Sequence, residues 1–151
     1  MGKKFLRKKS YLGEKDRETH YIVEECGVEE FQNCRFVLIF FSAGWCFPCQ
    51  NFLQILKDFY CEVNLEQKII EIVYVSADKS EPEFKESYAK MPWITYPFSS
   101  PMHNELKQKF NIIGVPVVLV CDAQTGFMIT EKGRKDIFDL GVNCLKSWKD
   151  D

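Results

Sequence analysis

Six consecutive apolar residues, Phe36-Val-Leu-Ile-Phe-Phe41, run straight into Ser42-Ala-Gly-Trp-Cys46-Phe-Pro-Cys49. So short an unbroken apolar run fits a strand covered on both faces, since a strand with one wet face alternates. Ser42, Ala43 and Gly44 end the run. Phe52, Leu56, Phe59, Tyr60 and Val63 then recur at the spacing of one helix face. Two cysteines therefore sit where a buried strand hands over to the first turn of a helix.

That position suits thiol chemistry. The free N–H groups and the positive end of the helix dipole stabilise a thiolate there, and the thiolate is the nucleophile. Two intervening residues on a helical turn bring the sulfurs within reach of a disulfide that opens and closes without unfolding anything. Cys46 falls at the exposed edge and Cys49 one turn in, so Cys46 is expected to attack and Cys49 to resolve. Pro48 fits the first helical turn, where a missing N–H costs nothing. The competing reading is half of a zinc site, which needs a second ligand pair. Neither His20 nor His103 has a partner at such spacing, and the other five cysteines form no second C-x-x-C. Redox chemistry without a metal or separate cofactor is the expectation.

A chain of 151 residues is most simply one domain, burying roughly two-thirds of its unfolded surface. A net charge of −2 argues against a nucleic-acid or membrane role. The start carries no apolar signal segment, and Leu6 stands where a myristoylation motif wants Ser or Thr. A reducing compartment, cytoplasmic and also nuclear, is expected. Lys3, Lys4, Arg7, Lys8 and Lys9 make residues 1–10 a basic, loosely ordered end, with a solvated edge strand or an anionic-surface patch as its two readings.

Along the chain, Tyr21-Ile-Val-Glu reads as a strand and Gly27 to Asn33 as a turn or short helix. Ile69 to Val75 is β-branched and short, a second buried strand. Pro82 opens a helix to about Lys90. Met91 to Pro101 holds three prolines in eleven residues and reads as an irregular connection. A helix over about 102–110 follows, then an apolar strand Val117 to Cys121, a turn Asp122 to Gly126, and a returning strand Phe127 to Thr130. Ile137, Gly141, Cys144, Leu145 and Trp148 mark one face of a final helix. Parallel βαβ first and an antiparallel pair afterwards predict an α/β fold with a mixed sheet and helices on both faces.

Phe-Ser-Ala-Gly-Trp45-Cys46-Phe-Pro-Cys49 followed by Gly114-Val115-Pro116 resembles the thioredoxin superfamily. Met91-Pro92-Trp93 with the following Tyr-Pro-Phe is similar to the tryparedoxin and nucleoredoxin branch. The tail, Ile129 to Lys135 with Asn143 to Trp148, looks most like animal nucleoredoxin-like proteins. The resemblance implies a thioredoxin-like three-layer α/β/α sandwich with Cys46 as nucleophile and Cys49 as resolving thiol. It implies a substrate-binding surface of Trp45, Phe47, Pro48, Val115 and Pro116, with Val115–Pro116 cis and the Val115 backbone pairing an extended substrate. The implied partners are protein or small-molecule disulfides and a donor such as a thioredoxin reductase or a glutathione-type thiol. Some nucleoredoxin-like proteins lack the cysteine pair and are regarded as signalling or survival factors, which makes a redox-sensitive adaptor the second reading.

Two features depart from the superfamily pattern. Pro116 comes 70 residues after Cys46, and the added proline-rich segment with its helices is expected to border the site. Position 40, where thioredoxins carry a buried acid, is Phe40. The proton on Cys49 then needs water or a peripheral group, and Asp78 is the candidate relay. Of the other cysteines, Cys121 and Cys144 are expected in the core, and Cys61 on the polar face of the motif helix.

Overall fold

The computed structural model describes residues 4–12 and 19–149. Met1, Gly2 and Lys3 of the basic end, and the side chain of His20, lie outside the described residues. The strands are β1 (Phe5–Leu12), β2 (Thr19–Cys26), β3 (Phe36–Ser42), β4 (Ile70–Ser76), β5 (Ile94–Thr95), β6 (Val117–Asp122) and β7 (Met128–Thr130). The helices are α1 (Phe47–Val63), α2 (Glu81–Tyr88), α3 (Met102–Lys109), α4 (Gly133–Leu140) and α5 (Cys144–Lys149).

The seven strands form one sheet in the order β2-β1-β5-β4-β3-β6-β7. β3 runs parallel to β4, and β4 to β5, while the other neighbours are antiparallel. β3 is buried because both of its faces are covered. Phe36, Leu38 and Phe40 share a core with α1, α2, α4 and α5, and Ile39 and Phe41 share one with α3. The register carries the same split into the neighbours, Ile70, Ile72 and Tyr74 facing one way and Val73 and Val75 the other. The three-layer α/β/α sandwich expected from the sequence is therefore present.

Phe40, in place of an acid, is fully buried and meets the rings of Phe52, Tyr74 and Trp93 at centroid distances of 6.3, 6.2 and 5.8 Å. Aromatic packing of this kind holds β3, α1 and β4 together at this position. Phe52, Leu56, Phe59 and Val63 of α1 are buried as their spacing predicts.

Four expectations change. The basic start, read as a solvated end around an edge strand, does hold a strand, but β1 lies inside the sheet and its Phe5 is 1% exposed. The proline-rich connection is not irregular throughout. Its Ile94 and Thr95 add a strand between β1 and β4, and Trp93 and Tyr96 go into the core. That segment thus braces the interior, and it is α2 that borders the motif. The returning strand begins at Met128, leaving Phe127 exposed. The final helix is broken, because Gly141 takes φ 56° and a 3-10 turn (Gly141–Asn143) separates α4 from α5. Ile137, Cys144 and Trp148 are nevertheless buried together.

Candidate active site at the Cys46–Cys49 disulfide

β3 ends at Ser42, and the loop Ala43–Trp45 leads into α1, for which Cys46 is the N-cap. Cys46 and Cys49 are joined as a disulfide, with Cα atoms 5.2 Å apart. The Cys49 N–H points at Cys46 Sγ at 3.2 Å, so a helix-end donor is aimed at that sulfur. Pro48 occupies the first turn without interrupting the helix. Cys49 is 1% exposed and Cys46 6%. The expected order holds, but Cys46 is more covered than an exposed edge. Ala43, Ala77 and Val115 pack around the two sulfurs.

Val115–Pro116 is cis, and the Val115 carbonyl oxygen lies 3.5 Å from Cys46 Sγ. The loop before β6 therefore crosses directly beside Cys46 Sγ, and the cis bond faces the cysteines as the resemblance implies. Trp45 and Phe47 flank it as apolar surface, 59% and 75% exposed. The indole N–H of Trp45 donates to the Ala77 carbonyl at 3.3 Å, and the Lys79 ammonium sits 5.8 Å from the ring centroid. Pro48 opens onto a groove of about 470 Å³ between α1 and α4, lined by Phe52, Ile55, Arg134 and Phe138 among others. The Arg134 guanidinium lies 5.9 Å from the centre of the Phe52 ring. On the other side, Trp45 and Gly44 wall a cleft of about 190 Å³ with Asp78, Glu83, Glu86, Ser87 and Lys90.

Asp78 follows β4 and reaches the loop, not the sulfurs. Its Oδ1 accepts from the Gly44 N–H at 2.8 Å and the Ser87 hydroxyl at 3.0 Å. Its Oδ2 accepts from the Tyr74 hydroxyl at 2.6 Å and the Ser76 hydroxyl at 2.7 Å. Among the described residues, no hydrogen bond joins it to Cys46 or Cys49. Burial and this carboxylate together push the Tyr74 phenol far above its ordinary value. Ser76 is held in turn by α3, where His103 Nδ1 accepts its N–H at 2.9 Å and Lys107 donates to its carbonyl at 3.1 Å. Sequence reasoning singled out Asp78 but missed Gly44, Tyr74, Ser76 and Ser87. These are spread over three elements, and no spacing rule joins them.

Residues 33–127 match the family model described as thioredoxin-like. Nucleoredoxin of Danio rerio is 36% identical over 105 residues, covering 69% of this chain and 25% of that protein. This chain thus spans about a quarter of the nucleoredoxin it matches. Tryparedoxin of Trypanosoma brucei brucei is 35% identical over 104 residues, covering 68% of this chain and 72% of that one. The solved structure of tryparedoxin II complexed with glutathionylspermidine superimposes with a TM-score of 0.70 at 30% identity, covering 85% of each chain. With a strand-to-helix disulfide beside a cis-proline loop, these matches establish that the chain belongs to the thioredoxin-like family, with tryparedoxins and nucleoredoxins as its relatives.

Proposed function

We propose that this chain is a thiol–disulfide oxidoreductase of the protein-disulfide reductase type, and that no cofactor beyond the Cys46–Cys49 pair takes part. The observation that carries the reading is Cys46 as helix N-cap, disulfide-bonded to Cys49 and facing the Val115 carbonyl. In the reduced protein, the Cys46 thiolate attacks one sulfur of a substrate disulfide, forming a mixed disulfide and expelling one substrate thiolate, which takes up a proton. Cys49 then loses its proton and attacks Cys46 Sγ. This closes the Cys46–Cys49 bond and releases the second substrate thiol. Two electrons have passed from the dithiol to the substrate. A donor such as a thioredoxin reductase or a glutathione-type thiol restores the dithiol.

Trp45, Phe47 and Pro48 form the apolar platform for the substrate, and the Val115 backbone beside Pro116 pairs with its extended chain. Asp78 is the group nearest in kind to a proton relay, acting through water at the loop. A thiol-bearing ligand on a tryparedoxin relative supports small-molecule disulfides as well as protein disulfides. The working compartment in this reading is the cytoplasm, and the nucleus as well. Among the described residues no helix is long and apolar enough to cross a membrane.

The second reading, a redox-sensitive adaptor that binds a signalling partner through the same groove, is favoured by the exposed Trp45 and Phe47. Reductase assay of Cys46→Ser/Cys49→Ser separates the two. Turnover of a protein disulfide should vanish in the double variant. Partner capture that survives the loss of both thiols would instead make this an adaptor.

A further inference from the structure

Gly44 stands between β3 and Trp45, and its φ lies outside the left-handed region. Its missing side chain therefore answers to space and not to backbone conformation. A Cβ there would lie 2.6 Å from Ser87 Oγ, 3.5 Å from Asp78 Oδ1 and 3.9 Å from Ser87 Cβ. The obstacle is one hydroxyl oxygen. Ser87 is a buried residue of α2, 6% exposed, and its hydroxyl donates to Asp78 Oδ1, the oxygen that also accepts the Gly44 N–H. The absent side chain at 44 and the hydroxyl at 87 fit each other around one carboxylate oxygen.

We propose that Ser87 is a positioning residue for the redox loop, a role that rests on the oxidoreductase reading above. It touches neither sulfur. It fixes Asp78 Oδ1, which holds the Gly44 amide, and Gly44 carries Trp45. Trp45 is tied a second time to Ala77, the residue before Asp78. Glu83, Glu86 and Lys90 face Trp45 across the small cleft, and all three lie on or just beyond α2. Ser87 thereby sets how far Trp45 stands from the charged side of α2. The effect falls on substrate binding more than on sulfur exchange. A buried serine with a merely structural role would change stability and leave Trp45 and the substrate constants alone.

The test compares the parent chain with Ser87→Ala, Gly44→Ala and the double variant. Two readouts are followed, acrylamide quenching of tryptophan emission and the KM and kcat for reduction of insulin. Trp93 and Trp148 are buried, so quenching reports Trp45. Losing one hydrogen bond to a carboxylate should raise KM by about two- to tenfold, more than kcat falls. Quenching should rise in Ser87→Ala and more so in Gly44→Ala. The double variant should return to the Ser87→Ala values, because the new methyl then meets nothing closer than 3.5 Å. Quenching and KM equal to the parent in Ser87→Ala, or strictly additive effects in the double variant, would overturn the proposal. If Gly44→Ala fails to fold, Ser87→Ala against Ser87→Thr, which keeps the hydroxyl, decides on the same readouts. If even the parent leaves insulin oxidised, the oxidoreductase reading fails while quenching still decides the positioning.

Discussion

Cys46 Sγ lies 3.5 Å from the carbonyl oxygen of Val115, a residue 69 positions further along the chain. A thiol can donate to that oxygen, whereas a thiolate is repelled by it. In the disulfide Cys46 Sγ carries no proton, so the approach to Val115 is a contact; once the bond is reduced, the Cys49 N–H aimed at this sulfur from 3.2 Å favours its thiolate.

Cys46 should accordingly alkylate first among the cysteines once the disulfide is reduced. Burial pushes Cys26 and Cys144 up to about 12, and Cys34 and Cys121 are raised by the same cause. Near neutral pH, Cys46 should react at least about a hundredfold faster than Cys26 or Cys144, judged by thiolate fraction alone. Cys49→Ser should trap mixed disulfides and Cys46→Ser none. Equal labelling of Cys46 and Cys49 by mass spectrometry, or trapping by Cys46→Ser, reverses the assigned roles.

Cys61 is exposed on α1, whereas Cys121 and Cys144 are buried. Any disulfide-linked dimer formed in air should run through Cys61. Non-reducing electrophoresis should show the dimer lost in Cys61→Ser and kept in Cys121→Ser and Cys144→Ser. A dimer undiminished in Cys61→Ser rules this out.

His103 is buried with both ring nitrogens engaged, Nδ1 by the Ser76 N–H and Nε2 by the Pro97 carbonyl at 2.9 Å each. Burial holds its pKa below the ordinary value, with Lys107 adding to the effect and Asp78 opposing it. The unfolded chain therefore takes up this proton near pH 6.5 while the folded chain does not. Stability should fall as pH drops below about 6.5, by up to about 1.4 kcal/mol per pH unit until the lowered folded pKa is reached. Glu71, raised by burial, acts with the opposite sign in the carboxylate range. Urea midpoints at pH 7.5 and 5.5 should therefore be compared with those of His103→Gln, which keeps an acceptor and a donor. An identical pH slope in that variant would show that His103 is not the group responsible.

Gly133 opens α4 against β6. A Cβ there would come within 2.8 Å of Val118 Cγ1, 2.8 Å of the Val118 carbonyl oxygen and 2.9 Å of Val120 Cγ2. Gly133 is the first residue of α4, so helix propensity favours Ala over Gly there by less than about 1 kcal/mol, the value for a helix interior. A clash with strand backbone inside a packed sheet costs about 1–3 kcal/mol and should win. Gly133→Ala should lower the denaturation midpoint, and a raised midpoint would mean α4 can shift outward freely.

The core of the site was legible because its signals are local. Phe36 to Phe41, the glycine-containing loop, Cys46, Pro48 and the face of α1 all announce themselves within one window. β5 was hidden, since two residues among prolines carry no periodicity, and only the gap between β1 and β4 makes them a strand. The break at Gly141 was hidden for the opposite reason. Apolar spacing continues through it, and nothing in that spacing reveals a positive φ. Asp78 was noticed for its charge, but its four donors come from Gly44, Tyr74, Ser76 and Ser87, which only the folded chain brings together.

β5 has one more consequence. The hairpin of β1 and β2 pairs with itself along eight residues, yet among the described residues it joins the rest of the sheet through a single register pair, Leu6 with Thr95. Side chains add further ties, such as Phe5 against Phe31 and Tyr96 and the Tyr88 hydroxyl on the Leu6 carbonyl. A unit with so short a backbone seam can open on its own. Amide hydrogen exchange should then divide the sheet in two, with β1 and β2 exchanging through a cheaper local opening than β3 and β4. The dithiol would ride on the half that stays shut.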